Sequence, residues 1–258
     1  VSPGRVAGAV RTAEGWRVRF DGPAGADEVA CGWMVDATGR RAAVARRHGG
    51  ARVRHDRLVA VHARFRPGAD ADRDGRTLVE AMPDGWGYTA RLPSGERMAA
   101  CLADAGDAGR GGLLAPAAFL AALARMPHLR DALAWYALAS APRGADAGSA
   151  RLASPVGDGW IAAGDAAVSF DPLSSHGILN ALHTGGLAGS AVHAHLAGDA
   201  AALAGYARHL DAVYVAYRRH LRVYYGMERR WPDHPFWARR HRLDPAADAP
   251  AAAAPGEH

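Results

Sequence analysis

The stretch Trp160-Ile161-Ala162-Ala163-Gly164-Asp165-Ala166-Ala167, followed by Phe170-Asp171-Pro172-Leu173-Ser174-Ser175-His176-Gly177-Ile178, decides the reading of this chain. Four apolar residues ending in Gly-Asp predict a buried strand that delivers a carboxylate to its C-terminal edge, where an open α/β sheet binds ligands. A carboxylate placed there suits a sugar or ribitol hydroxyl, from which it can accept a hydrogen bond. The Pro172 to Ile178 turn then opens a small-residue helix predicted over 177–196. Its first N–H groups and its dipole would face whatever sits above them and favour negative charge. Alone, Gly164-Asp165 is weak and reads better as a helix cap, with Pro172 to Gly177 an ordinary loop. The whole string is far more specific.

Working toward the N-terminus, Val6 to Val10, the alternating Trp16, Val18 and Phe20, and Val29 to Val35 predict a β-meander with turns at Glu14-Gly15 and Gly22 to Gly25. It feeds Trp33-Met34-Val35-Asp36, then Ala37-Thr38-Gly39-Arg40 and a helical, Arg-rich stretch. Strand patterns return at Leu58 to Phe65, Thr77 to Ala81, Trp86 to Leu92 and Arg97 to Leu102, with the spacing of an antiparallel sheet. Helices are predicted over 116–126 and 129–139. A short extended piece is expected from Arg151 to Val156. A long amphipathic helix is predicted from Ala200 to Met227, with Asp199 as its N-cap and Leu203, Tyr206, Leu210, Val213, Tyr217, Leu221 and Tyr224 at three- and four-residue spacing. Trp231-Pro232 ends that pattern, and the last dozen residues, rich in Ala, Pro and Asp, read as disordered.

The Gly164-Asp165 string resembles the second FAD-binding motif of flavoprotein monooxygenases with the p-hydroxybenzoate hydroxylase-like fold. Its Asp-Pro-Leu-Ser-Ser-x-Gly-Ile wording is most similar to the branch that holds the tryptophan halogenases and their non-halogenating relatives, including flavoproteins that mature quinone cofactors of amine-oxidising enzymes. His176 stands where that branch has Gln. Three further stretches resemble the same branch: Val35 to Arg40, which closes the first FAD-binding half; Asp84-Gly85-Trp86-Gly87-Tyr88 with Leu92-Pro93, in the substrate sheet; and Tyr225 to Trp231 with Pro235-Phe236-Trp237, in the C-terminal helix and tail.

The resemblance implies an α/β fold in which an FAD-binding dinucleotide domain is interrupted by an antiparallel substrate-binding sheet. Residues 1–54 and 151–226 would form the FAD-binding halves, 55–150 the substrate domain and 227–258 the tail. The cofactor residues implied are Asp36, Thr38, Gly39, Arg40, Gly164, Asp165, Pro172, Leu173, Ser174, Ser175, Gly177 and Ile178. His176, Trp86 and Tyr88 would face the substrate. The reaction implied is an FAD-dependent monooxygenation with NAD(P)H as co-substrate, O₂ supplying the oxygen and an electron-rich aromatic receiving it, an indole or a peptidyl tryptophan in a protein substrate. No Gly-x-Gly-x-x-Gly follows an N-terminal strand. The chain therefore reads as the C-terminal portion of a longer enzyme whose opening βαβ unit is missing, and by itself it is expected to bind FAD poorly or not at all.

Three alternatives stand beside this reading. Halogenases carry a Trp-x-Trp-x-Ile-Pro stretch and a reactive lysine. The nearest match here is Trp86-Gly87-Tyr88-Thr89-Ala90, and no lysine occurs in the chain, although that lysine would fall in the missing part. An isoprenoid-reducing flavoenzyme like the geranylgeranyl reductases has a similar turn, usually with Gly-Glu at Ser175-His176. A non-catalytic, protein-binding remnant of the fold is the third.

Composition agrees with a packed protein. The chain has 258 residues, 49% of them hydrophobic and 22% charged, ample for a core and unlike a disordered chain. Apolar runs such as Leu113 to Leu123 fall short of the about 18 to 20 residues that cross a bilayer, so no membrane partner is expected. A formal charge of +5 is carried by 31 basic residues, all Arg, interleaved with 26 acids. Without a nucleic-acid-binding signature this is composition bias, and no nucleic-acid partner is expected. Cys31 and Cys101 are too far apart for a zinc knuckle or a disulfide framework and read as inert, buried thiols, which fits a reducing cytoplasm. His193 and His195 lie two apart on a helix and diverge, so no metal site is expected. Ser174 and Ser175 are in no Gly-x-Ser-x-Gly elbow.

Overall fold

The computed structural model describes residues 4–71 and 74–242. The predicted disorder of the last dozen residues lies outside them. The described residues divide into two compact units: 4–54 with Ala150–Ala216, and His55–Ser149 with 217–242. The last turns of the long helix Ala202–Met227 thus group with the second unit.

In the first unit the meander is Arg5–Thr12, Gly15–Gly22 and Gly25–Cys31, all antiparallel. Trp16, 2% exposed, anchors it by donating its indole N–H to the Gly159 carbonyl at 2.7 Å. The strand expected over 29–35 is split, ending at Cys31 and resuming as Met34–Asp36. Cys31 is half-buried, not buried as expected. Met34–Asp36 runs parallel to Trp160–Ala162, with Met34 opposite Trp160 and Asp36 opposite Ala162, so both strands deliver their C-terminal ends to one sheet edge. The Asp36 carbonyl prolongs the ladder by accepting from the Ala163 N–H at 3.0 Å. A further small sheet joins Arg52–Arg54, Ala150–Leu152 and Val168–Ser169. The helix Gly177–Leu196 has the predicted bounds and buries Asn180, Thr184, Ala188 and Ala191, a single stripe at helical spacing.

The second unit is a six-stranded antiparallel sheet. Its order is Tyr136–Leu138, Leu58–Pro67, Arg97–Asp104, Gly85–Arg91, Leu78–Met82, with Arg143–Asp146 also paired to Leu58–Pro67. Strand alternation sends Val61, Ala63, Phe65, Ala99 and Cys101 to one face, where Phe119, Leu123 and Leu129 of the helices Pro116–Ala124 and Pro127–Ala132, with Met126 between them, cover them. Burial pushes the Cys101 thiol up to about 12, so it packs as a small apolar group. The helix expected over 129–139 is corrected: it ends at Ala132, and Tyr136–Leu138 is a strand. Tyr136 pairs with Pro67 and Leu138 with Phe65, so a free sheet edge overrides local helix propensity. A helix, Pro235–His241, follows the aromatic tail, with Pro235 in its first turn. Phe236 is fully buried, Trp237 donates to the Met82 carbonyl at 3.0 Å, and the Arg240 guanidinium stacks 3.5 Å from the Phe236 ring centroid while pairing with Asp104 at 2.8 Å.

Candidate functional site

The parallel pair Met34–Asp36 and Trp160–Ala162 places two aspartate-bearing turns side by side in the first unit. In the first turn Asp36 is fully buried. One carboxylate oxygen accepts from the Thr38 N–H at 3.0 Å and the Thr38 hydroxyl at 2.6 Å; the other accepts from the Ala45 N–H at 2.8 Å. Thr38 Oγ1 in turn accepts from the Ala43 N–H at 2.7 Å. Asp36 and Thr38 therefore build the turn and fix the start of the helix Ala43–Arg47. The turn they build holds Gly39 at a φ of +66°, with nothing within 4 Å of where a Cβ would stand. Glycine there presents bare backbone to open space.

In the second turn Gly164 has a φ of +58° and comes so near the following helix that a Cβ would lie 3.2 Å from that of Ala181. Thr184 locks this approach: its Oγ1 accepts from the Gly164 N–H at 2.9 Å and donates to the Asn180 carbonyl at 2.7 Å. Tyr206, its phenol pushed up by burial, donates to the Ala162 carbonyl at 2.6 Å. Asp165 keeps 34% of its side-chain surface exposed and meets Arg40 Nε at 3.4 Å. Arg40 also donates to the Phe170 carbonyl at 2.6 Å, tying the two turns together.

The third part is the Pro172–Ser174 turn. Asp171 caps it by accepting from the Leu173 N–H at 2.9 Å, and Ser174 donates to the Asp171 carbonyl at 2.8 Å. Ser175 sits at a φ of +54°, which turns the chain into the helix. The first helical bond there runs from the Asn180 N–H to the His176 carbonyl, so the N–H groups of Gly177, Ile178 and Leu179 precede the intrahelical ladder. Ser175, His176 and Gly177 are exposed. So are Ile178 at 81%, Leu179 at 65% and Leu182 at 72%, an apolar face beside these N–H groups.

The first unit thus brings together Asp36, Thr38, Gly39, Arg40, Gly164 and Asp165, and continues from them into Pro172 to Ile178. Trp86 and Tyr88 belong to the sheet of the second unit. Two apart on one strand, their rings share a face, centroids 6.2 Å apart. Trp86 is 3% exposed and donates to the Tyr225 hydroxyl at 3.1 Å. Tyr88 is half-buried, and burial raises its phenol. Sequence reading gave no site role to Thr184, Leu179 or Tyr206, the last read only as part of the helix's apolar stripe. The Gly-Asp motif marks the turn that Thr184 holds and the strand that Tyr206 bonds, but not these partners.

No family model matches the chain. LodB of Marinomonas mediterranea, which carries the name of an FAD-dependent oxidoreductase, is 30% identical over 244 residues, covering 88% of this chain and 61% of LodB. The myxobacterial chondrochloren halogenase CndH, an FAD-dependent halogenase, superposes with a TM-score of 0.82 at 24% identity, over 95% of this chain and 59% of CndH. The peptidyl tryptophan dihydroxylase QhpG superposes with a TM-score of 0.76 at 28% identity, over 92% of this chain and 53% of QhpG. The chain has the fold of the halogenase-like FAD flavoproteins. It spans between half and two thirds of the length of these relatives. No helix among the described residues is long and apolar enough to cross a membrane, and no three metal-ligating side chains among them converge.

Proposed function

We propose that the chain belongs to an FAD-dependent monooxygenase that takes electrons from NAD(P)H, uses O₂ and hydroxylates an aromatic substrate, an indole or a tryptophan within a protein. The observation that carries this reading is the pairing of two kinds of surface at one sheet edge. A partly exposed carboxylate, Asp165, stands beside bare glycine backbone at Gly39, and an open helix N-terminus is flanked by exposed Ile178, Leu179 and Leu182. These groups fit FAD, which has ribityl hydroxyls, a charged pyrophosphate and a flat ring. The 28% identity to QhpG supports a tryptophan-type substrate.

FAD, when bound, supplies the redox chemistry and the reaction with O₂. The residues of this chain do the rest. Asp165 would hold FAD by accepting hydrogen bonds from its hydroxyls. Gly39 and Arg40 would offer backbone and positive charge to the dinucleotide. The Gly177 to Leu179 N–H groups would favour negative charge on the cofactor, and Pro172 to Ile178 would line it and exclude water. His176 would supply a proton or a hydrogen bond there. In the substrate sheet Tyr88 meets the substrate as a neutral hydroxyl, and Trp86, committed to Tyr225, is a positioning residue.

The protein containing this chain is expected to purify yellow, oxidise NADH or NADPH with O₂ uptake, and give a product heavier by oxygen. A colourless protein that takes up no added FAD overturns the reading. Halogenation is the second reading, favoured by the TM-score of 0.82 to CndH. Products from reactions run with chloride or bromide separate the two by mass, since a halogenated product replaces the hydroxylated one.

A further inference from the structure

His183 and His209 are the one pair of imidazoles whose ring nitrogens the structure brings into direct contact among the described residues. Their Nε2 atoms lie 3.1 Å apart, with ring centroids at 5.3 Å and an angle of 54° between ring planes. His183 belongs to the helix Gly177–Leu196 and His209 to the helix Ala202–Met227, both within the first unit, and both are exposed. We propose that His183 and His209 form a two-nitrogen site for a divalent transition-metal ion of the zinc, nickel or copper class.

The geometry carries the proposal. Two imidazole nitrogens bound to one ion at about 2.0 to 2.1 Å, in neighbouring positions of a square or tetrahedral arrangement, lie about 2.9 to 3.4 Å apart. The observed separation is inside that interval. The competing account is a hydrogen bond in which one Nε2 keeps its proton. Exposed to water, such a bond contributes little stability. For ligation that ring takes the tautomer with its proton on Nδ1, and rotation of the exposed side chains turns both Nε2 lone pairs from each other toward one ion. Water completes the coordination, since both rings are exposed. The ligands come from two helices already positioned by the fold, so binding favours the folded state and pins one helix to the other. The pinned helix begins at Gly177, about two turns before His183, and its first residues border the Asp165 turn.

The test is a calorimetric titration of the purified protein with zinc chloride, and separately with nickel chloride, at about pH 7.5, where imidazoles are predominantly neutral. The expected result is one equivalent of saturable binding, weakened at least tenfold in His183→Ala and in His209→Ala. Zinc should also raise the melting temperature of the natural protein and not of either variant. Both side chains are exposed and alanine is the strongest helix former, so the variants are expected to fold, which their metal-free melting curves check. Copper loading gives an independent readout: the paramagnetic resonance spectrum should show coupling to two imidazole nitrogens, reduced in each variant. Equal zinc affinity in all three proteins, no saturable binding by the natural protein, or a copper spectrum unchanged by both substitutions overturns the proposal.

Discussion

Asp36 and Asp165 follow neighbouring parallel strands, 129 positions apart in the chain, and chemistry has been divided between them. Asp36 is fully buried and its two oxygens accept from Thr38 and Ala45, so its charge is used within the turn that displays Gly39. Asp165 stands on a turn held by other groups, the Thr184 hydroxyl and the left-handed Gly164, and leaves its carboxylate a third exposed. On the proposed reading, the first of these two similar motifs at one sheet edge would offer a ligand its backbone and the second its side chain. A fold can place a carboxylate at a binding edge either as scaffold or as contact, and solvent exposure tells which.

The contrast breaks most sharply at Asp36. Asp36→Ala leaves the Thr38 and Ala45 N–H groups without their acceptor in a buried turn, and is expected to cost about 3 kcal/mol of stability. Urea unfolding followed by circular dichroism measures it. A change no larger than that of an exposed aspartate would remove Asp36 from the role of scaffold.

Asp104, in the second unit, is an intermediate case. Burial alone would raise its carboxyl, but Arg240 and Arg239 outweigh burial and hold it below the usual carboxylate range. A depressed carboxyl contributes stability above its unfolded value and loses it as pH falls through the folded value. Asp104→Asn is therefore expected to cost about 2 kcal/mol at neutral pH, with the gap to the natural protein closing as pH is lowered through the acid range. Urea midpoints over a pH series report this, and a gap independent of pH would show that the ion pairs are not its source.

A smaller effect is expected at Gly39. Its φ of +66° disfavours any Cβ, while the space around it is open. Gly39→Ala should thus cost about 1 kcal/mol from backbone conformation alone, and should weaken FAD uptake by more than that loss accounts for, because the added methyl stands where backbone is offered. Melting curves and flavin-fluorescence titration separate the two effects.

These cases mark what the sequence makes legible. The helix Gly177–Leu196 could be read from its turn signals and small-residue pattern, and the Gly-Asp motif located the sheet edge. The division of labour between Asp36 and Asp165 could not be read, because saturation of a carboxylate depends on where Ala45 and Thr38 fall in three dimensions. The strand Tyr136–Leu138 hid inside an apparently helical stretch because its pairing partner, Phe65 to Pro67, is some seventy residues away in the chain. The register between helices that brings His183 to His209 is likewise set by packing, and their 26-residue separation carries no ligand signature.

The smallest stability effect belongs to Asp165, and it sharpens the contrast most. Its pair with Arg40 is long and partly exposed, so Asp165→Ala is expected to change stability by less than about 0.5 kcal/mol. If the carboxylate accepts ribityl hydroxyls, the same substitution should weaken FAD binding at least tenfold in the protein containing this chain, with Asp165→Asn recovering part of the loss because its amide oxygen still accepts. Flavin-fluorescence titration beside urea unfolding gives both quantities on one preparation. Unchanged affinity would move the binding function from the side chain of Asp165 to the backbone around it, and the two aspartates would then differ in burial but not in role.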